Sequence, residues 1–218
     1  EGGLGPRMGD TPLGKEARLR QLKIPAAQAF VRANKLDKPL LVGRQKKLAV
    51  VVAGQAARDV YEALGAMGLS PEQAADLGVS IFKVAMPWPL EPTAIGDFCR
   101  GFERVLVIEH KRAIIEPQLK DVLYHLPDAE RPIIEGKLDR DGARLLSDIA
   151  SLSTADIAMA LVGRLADGPH RAKADAYFAK VNAAKQAVAG MNQINTRKPH
   201  FCSGCPHSTS TTLPEGSR

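Results

Sequence analysis

Three short runs of aliphatic and β-branched residues, separated by stretches of helical length, constrain this chain more than any other feature. They are Leu48-Ala49-Val50-Val51-Val52-Ala53, Val79-Ser80-Ile81-Phe82-Lys83-Val84 and Val105-Leu106-Val107-Ile108-Glu109. Near-continuous apolar runs, rather than alternating ones, describe strands buried on both faces, and parallel strands need helical crossovers between them. The pattern predicts an α/β fold with a mostly parallel sheet and covering helices.

The intervening stretches carry helical signals of their own. After the first run, Ala57, Val60, Leu64 and Met67 recur at helical spacing, and Gly68 is placed to end that helix. Ser70-Pro71-Glu72-Gln73 reads as an N-cap with proline in the first turn of a short helix reaching Leu77. Further helices are expected over 92–100 and from Ile115, where Ile115, Leu119, Val122 and Leu126 share a face, followed by a fourth short strand over 132–135. Beyond the turn-rich Asp139-Arg140-Asp141-Gly142 come two packing helices, over 153–165 and 171–189, the first capped by Ser153-Thr154-Ala155-Asp156.

Ahead of the sheet, residues 1–45 read as a connector or arm. They hold one expected helix over 25–34, in which Ala26, Ala29, Phe30 and Ala33 share a face. The α/β domain is assigned to 46–140 and the packing helices to 141–190. The segment 191–218 opens with an extended linker marked by Met191, Asn192, Asn195, Arg197 and Pro199.

With 218 residues, 44% of them hydrophobic, the chain has material for one substantial core. Its apolar run Leu48 to Ala53 is as long as any and falls far short of the roughly 20 residues a membrane-spanning helix needs. No basic-then-apolar leader opens the chain, so a soluble, cytoplasmic protein with no membrane partner is expected. Three cysteines, one alone (Cys99) and two as a CxxC pair (Cys202, Cys205), do not make a secreted disulfide framework. The net charge of +6 falls in short clusters such as Arg44, Lys46 and Lys47, without interleaved aromatics, which argues against nucleic-acid binding.

Candidate chemistry sits at four places. Gly54 follows a strand and precedes a helix, where backbone N–H groups can face an anion. As a lone glycine without a GxGxxG pattern it reads first as a structural turn. Met86-Pro87-Trp88-Pro89-Leu90-Glu91-Pro92 reads as a rigid strand-to-helix crossover, since each proline biases its predecessor to extended backbone. Glu109-His110-Lys111-Arg112 lies at the carboxyl end of the third strand, where open α/β sheets often bind ligands and a Glu and a His can do acid–base work. An interface or surface ion-pair cluster is the reading weighted above it.

The strongest local signal is Phe201-Cys202-Ser203-Gly204-Cys205-Pro206-His207-Ser208-Thr209-Ser210. Two thiolates three apart hold one edge of a zinc or iron–sulfur site, with Gly204 letting the backbone fold tightly around it. Such a site takes about four ligands, and only His207 is added nearby. A redox CxxC would lack the strand-then-helix context of a thioredoxin fold.

Two stretches resemble one enzyme group. Ile81-Phe82-Lys83-Val84, Trp88-Pro89-Leu90-Glu91-Pro92 and Arg104-Val105-Leu106-Val107-Ile108-Glu109-His110-Lys111 resemble, in order and spacing, the transketolase C-terminal-like domain of thiamine-dependent enzymes. The motif CxGCPH at Cys202–His207, with Ser/Thr and Pro214-Glu215-Gly216-Ser217-Arg218 after it, resembles the start of the diphosphate-binding domain of the indolepyruvate:ferredoxin oxidoreductase group. Lys15 to Ala33 and Glu116-Pro117-Gln118-Leu119-Lys120 resemble the long fused form of that enzyme.

The resemblance implies a three-layer α/β/α Rossmann-like domain. It also implies a parent enzyme that carries out CoA-dependent oxidative decarboxylation of aryl 2-oxoacids with ferredoxin as electron acceptor. The parent would use thiamine diphosphate, Mg2+ and 4Fe-4S clusters. By resemblance, Cys202 and Cys205 are metal ligands and Gly204 and His207 lie near thiamine diphosphate, while no catalytic residue is assigned to this chain. Running from Glu1 to Arg218, the chain reads as an internal fragment, structural in role, inactive and cofactor-free by itself. Its expected partners are the remaining domains of the same enzyme, in a homo-oligomer. On the residues alone two other readings stay open: a nucleotide- or CoA-binding module using the Gly54 turn and Arg58, and a small metal-binding interaction protein built on Cys202, Cys205 and His207.

Overall fold

The apolar runs become the middle of a five-stranded sheet in the computed structural model, which describes residues 4, 5, 7–189 and 200–217. The strands are β1 (Lys38–Leu41), β2 (Leu48–Ala53), β3 (Val79–Val84), β4 (Arg104–Ile108) and β5 (Ile133–Glu135), in spatial order β1-β3-β2-β4-β5. Strands β2 to β5 are parallel, with Val50 level with both Ile81 and Leu106, and β1 adds an antiparallel edge to β3.

Alternate residues of each strand serve two different cores, which explains why the runs are apolar throughout rather than alternating. Leu48, Val50, Val52, Ile81, Leu106 and Ile108 pack beneath α3 (Ala56–Ala66) and α7 (Thr154–Val162), with Ala174 of α8 (Pro169–Ala189). Ala49, Val51, Phe82, Val84, Val105 and Val107 pack against α5 (Pro92–Cys99) and α6 (Ile115–Tyr124). Each fully buried Val, Leu or Ile contributes about 1.5–3 kcal/mol, so the two layers together supply the main folding drive. The three-layer α/β/α arrangement expected from sequence is the one observed.

Local signals explain the helix boundaries. Gly68 takes φ +69 just after α3, the left-handed value that glycine adopts at helix ends. Helix α4 (Pro71–Asp76) starts with a full capping box between Ser70 and Gln73, and α7 with one between Ser153 and Asp156. Helix α7 ends at Val162, before the expected Leu165, with Gly163 as its C-cap. In α6 the fully buried residues are Ile115, Leu119 and Leu123, while Val122 and Leu126 are only partly covered.

Two elements differ from expectation. Strand β1 falls in the stretch read as a connector, and Pro39 within it is tolerated because an edge strand needs no donor on its free side. The arm is a longer helical run than one helix: α1 (Pro12–Arg18), a π-helical turn (Leu19–Lys23) and α2 (Ile24–Ala33). The covered face of α2 is Ile24, Ala27, Gln28 and Val31, against α5 and the proline loop. Of the expected face, Ala29, Phe30 and Ala33 point outward, with Phe30 63% exposed, and Ala26 is half-buried.

Residues group into two compact units, Glu1–Lys180 and Val181–Arg218. The second contains the end of α8 and a short helix, α9 (His207–Ser210). Most of the linker expected from Met191 lies outside the described residues.

Candidate functional site

From β2 the chain crosses to β3 on one side through α3 and α4, then returns over β2 to β4 through α5. This reversal makes the carboxyl ends of β2 and β4 the topological switch point, the place where open α/β sheets usually bind ligands. Gly54, with φ +53, turns the chain there from β2 toward α3, and nothing lies within 4 Å of where its Cβ would be. Gln55, the N-cap of α3, makes no side-chain capping bond, and Arg58 is exposed.

The β4 side of the crevice is filled by the domain's own groups. Strand β4 stops at Ile108, one residue before the expected Glu109, which leaves the Glu109 side chain to turn onto α6. Its carboxylate accepts from the backbone N–H groups of Ile114 and Ile115 at 3.0 Å and of Glu116 at 3.2 Å, satisfying the start of that helix. His110 Nδ1 accepts from Leu152 N–H at 3.1 Å, placing the proton of the neutral ring on Nε2. That Nε2 lies 3.1 Å from Asp59 Oδ2 of α3, out of line for a hydrogen bond.

Lys111, at φ +59, donates its backbone N–H to the Ala150 carbonyl. Lys137 Nζ donates to the carbonyls of Glu109 and Ser147. Burial lowers the pKa of that ammonium, against the opposing pull of Glu109, Glu116 and Asp148. The segment 147–152 is thus bonded to the β4 end of the crevice. Glu109 and His110 hold backbone here rather than forming the interface or surface ion-pair cluster expected, and sequence offers no signal for their partners Lys137, Leu152 and Asp59.

The proline-rich crossover is pinned in the same manner. Trp88-Pro89 is cis, and Gln118 of α6 holds the loop from both sides, donating to the Pro87 carbonyl at 2.8 Å and accepting from Leu90 N–H at 2.9 Å. Glu91 is fully buried and caps α5 by accepting from Thr93 and Ala94 N–H, with Arg32 Nη1 donating at 2.6 Å. Burial raises the Glu91 pKa, and these donors outweigh it, so the carboxyl titrates below its ordinary value. Cavities of about 450 and 330 Å3 lie elsewhere, one at the amino ends of β2 and β4 and one beside the start of α8.

The cysteine motif forms a tight turn. Cys205 N–H donates to the Cys202 carbonyl at 3.0 Å and Gly204 takes φ +78, as the third position of a type II turn requires. Cys205 Sγ lies 3.2 Å from His207 Nδ1, and the Phe201 ring stacks on the His207 ring at 5.3 Å. Cys202 is exposed and Cys205 half-buried. Two thiols and an imidazole match soft-metal chemistry in kind. Among the described residues, however, no group of three or more His, Cys, Asp or Glu is placed to hold a metal. Cys99 is buried in the α5 layer, which pushes its thiol up to about 12. The turn brings Cys205 and His207 together beside an exposed Cys202.

Comparison with known proteins settles the family. Residues 38–188 match the family described as the Indolepyruvate oxidoreductase domain. The chain belongs to this family.

Relatives of this indolepyruvate oxidoreductase domain include the indolepyruvate oxidoreductase subunit IorA of Methanothermobacter thermautotrophicus, 25% identical over 87% of this chain and 25% of that protein. The subunit IorA of Thermococcus kodakarensis is 25% identical over 75% of this chain and 22% of its own length. The domain thus spans about a quarter of the curated relatives it matches. Among solved structures it is similar to a 2-oxoglutarate:ferredoxin oxidoreductase from Magnetococcus marinus, with 15% identity, 71% of this chain and 24% of that one covered and a TM-score of 0.39. It is also similar to a split gene transketolase, with 14% identity, 58% of this chain and 41% of that one covered and a TM-score of 0.38. At those scores neither likeness bears on the site. Among the described residues no helix is long and apolar enough to cross a membrane.

Proposed function

We propose that this chain is the scaffolding α/β domain of a cytoplasmic indolepyruvate-type 2-oxoacid:ferredoxin oxidoreductase and makes or breaks no substrate bond itself. The observation that carries the proposal is the filled β4 side of the switch point: Glu109 is spent on capping α6, and the His110 ring and the Lys111 backbone N–H on binding the 147–152 segment. A domain that used this crevice for nucleotide or CoA would leave such groups free to face a ligand.

In the larger enzyme, segment 191–218 would be the linker and the start of the thiamine-diphosphate-binding domain. Cys202 and Cys205 would ligate a 4Fe-4S cluster completed by cysteines outside this chain, and Gly204 and His207 would lie beside thiamine diphosphate and its Mg2+. Thiamine diphosphate supplies the carbanion chemistry and the cluster a route for electrons, while the protein positions both. Over the whole reaction an aryl 2-oxoacid loses its carboxyl as CO2, its acyl group ends on the sulfur of CoA, and the electrons released reduce ferredoxin. The domain's share is rigidity: a sheet with two cores, a proline loop held by Gln118, and a basic arm for contacts with the remaining domains, within an enzyme proposed to be a homo-oligomer.

The test is indolepyruvate- and CoA-dependent reduction of a viologen dye under anaerobic conditions. The complete enzyme is expected to show it and this chain alone to show none; dye reduction by the chain alone would overturn the scaffold assignment.

A further inference from the structure

The arm ahead of the sheet has two apolar faces, and its own domain covers only one. Ile24, Ala27, Gln28 and Val31 are turned inward at i, i+3, i+4 and i+7, with Val31 buried and Gln28 Nε2 donating to the Leu90 carbonyl at 2.7 Å. On the other side Leu22, Ala29, Phe30 and Ala33 recur at i, i+7, i+8 and i+11 and are exposed, with the half-buried Ala26 at i+4 on the edge of the row. Phe30 is 63% exposed and Leu22 49%. Toward the N-terminus the situation is starker, because α1 and the π-helical turn bury no residue at all, and Leu13 and Leu19 are exposed as well. A helical segment this short is marginal in water without tertiary support, and a row of exposed leucine and phenylalanine marks a contact surface.

Charge decides what kind of surface meets it. From Ala17 to Leu36 the chain contains no Asp or Glu, but it contains Arg18, Arg20, Lys23, Arg32 and Lys35. Arg18 is paired with Asp10 and Arg32 with Glu91, whereas Arg20, Lys23 and Lys35 have no ion-pair partner among the described residues. Two copies laid along this row would set these cations against one another, which disfavours self-pairing.

We infer that the row from Leu22 to Ala33 docks into an apolar groove rimmed by Asp and Glu on the remaining part of the enzyme, the three quarters of the relatives' length that this chain does not match. The inference rests on the reading above that the chain works within a larger oxidoreductase. Phe30 and Leu22 fill pockets, the alanines at 26, 29 and 33 allow close backbone approach, and Arg20 and Lys23 meet the acidic rim.

Hydroxyl-radical footprinting of the complete enzyme reads solvent access at Phe30 directly, with a peptide of residues 19–33 as the exposed reference. Oxidation of Phe30 is expected to be roughly fivefold slower in the enzyme than in the peptide, and Lys23→Glu is expected to bring it back by about twofold or more. Oxidation at the peptide's rate would overturn the docking, and continued oxoacid-dependent dye reduction in that sample would leave the functional reading standing. A protected Phe30 in an enzyme inactive on every 2-oxoacid would do the reverse. Protection unaffected by Lys23→Glu would overturn the acidic rim. A disulfide joining two Ala33→Cys copies, or binding to phosphatidylserine vesicles abolished by Phe30→Asp, would replace the proposed occupant with a second copy or with lipid.

Discussion

Four buried carboxylates do most of the polar work in this domain, and each does it for a different element. Glu109 caps α6, Glu91 caps α5, Glu116 receives the Lys137 N–H at 2.9 Å, and Glu135 joins β5 to Arg164 at 2.7 Å and Arg104 at 3.2 Å. Replacing Glu109 by Ala leaves the first backbone donors of α6 without a partner. The expected loss is about 2 kcal/mol in urea unfolding, with Glu109→Gln losing less because its amide oxygen still accepts. At Glu135, burial raises the pKa, but the Arg164 hydrogen bond and charge, the Arg140 N–H and Arg104 outweigh it, so its folded-state value is depressed, as is that of Glu91.

A depressed carboxyl pKa contributes stability that is complete above the unfolded value, near 4.5, and is lost as pH falls through the folded value. Unfolding midpoints should therefore drop steeply below pH 4.5, and Glu91→Gln with Glu135→Gln should flatten that slope while lowering stability at pH 7. An unchanged acid slope in the double variant would show that the stabilisation lies elsewhere. Asp37 runs the other way: burial lifts its pKa despite the Ala85 N–H, and its Oδ2 has no hydrogen-bond partner.

At the scale of elements, what could be read from sequence follows from how completely each one is buried. The strands β2, β3 and β4 are legible because both faces of each are covered, so nearly every residue is apolar, with Ser80, Lys83 and Arg104 the exceptions. Capping boxes at Ser70 and Ser153 are legible because their geometry needs only four consecutive residues. Strand β1 is not legible, since Lys-Pro-Leu-Leu is short, half-exposed and paired along one edge. The inward face of α2 is not legible either, because the helix offers two apolar rows at helical spacing and only tertiary packing chooses between them.

The contacts that fill the β4 side of the switch point are of the same kind, joining His110 to Leu152 and Lys137 to Glu109 across long loops with no periodicity to reveal them. Gly136, just after β5, illustrates the resulting tightness: a Cβ there would sit 2.3 Å from Glu116 Oε2. Gly136→Ala should displace that carboxylate from the Lys137 N–H and cost about 1–3 kcal/mol, read as a lower thermal midpoint with an unchanged far-ultraviolet spectrum. A neutral result would mean that the β5–α6 junction yields more freely than its packing indicates.

For the molecule as a whole, a two-core α/β domain is followed by a short cysteine turn, proposed above as half of a cluster site. The turn is incomplete, since Cys202, Cys205 and His207 gather no further ligand among the described residues. Family membership was reached from sequence because the CxGCPH motif and the strand–proline–strand order are compact and local. The roles of the motif's residues follow only by resemblance, because Cys202, Cys205 and His207 do not by themselves choose between zinc, a cluster and a redox pair.

The measurement that tests the account most directly is iron and acid-labile sulfide content on anaerobically purified complete enzyme, on its Cys202→Ser and Cys205→Ser variants, and on this chain alone. The account predicts a visible-absorbing cluster in the complete enzyme, loss of iron and sulfide together in both variants, and neither in the chain. Undiminished iron and sulfide in both variants, or one tightly bound zinc in the chain alone, would contradict it.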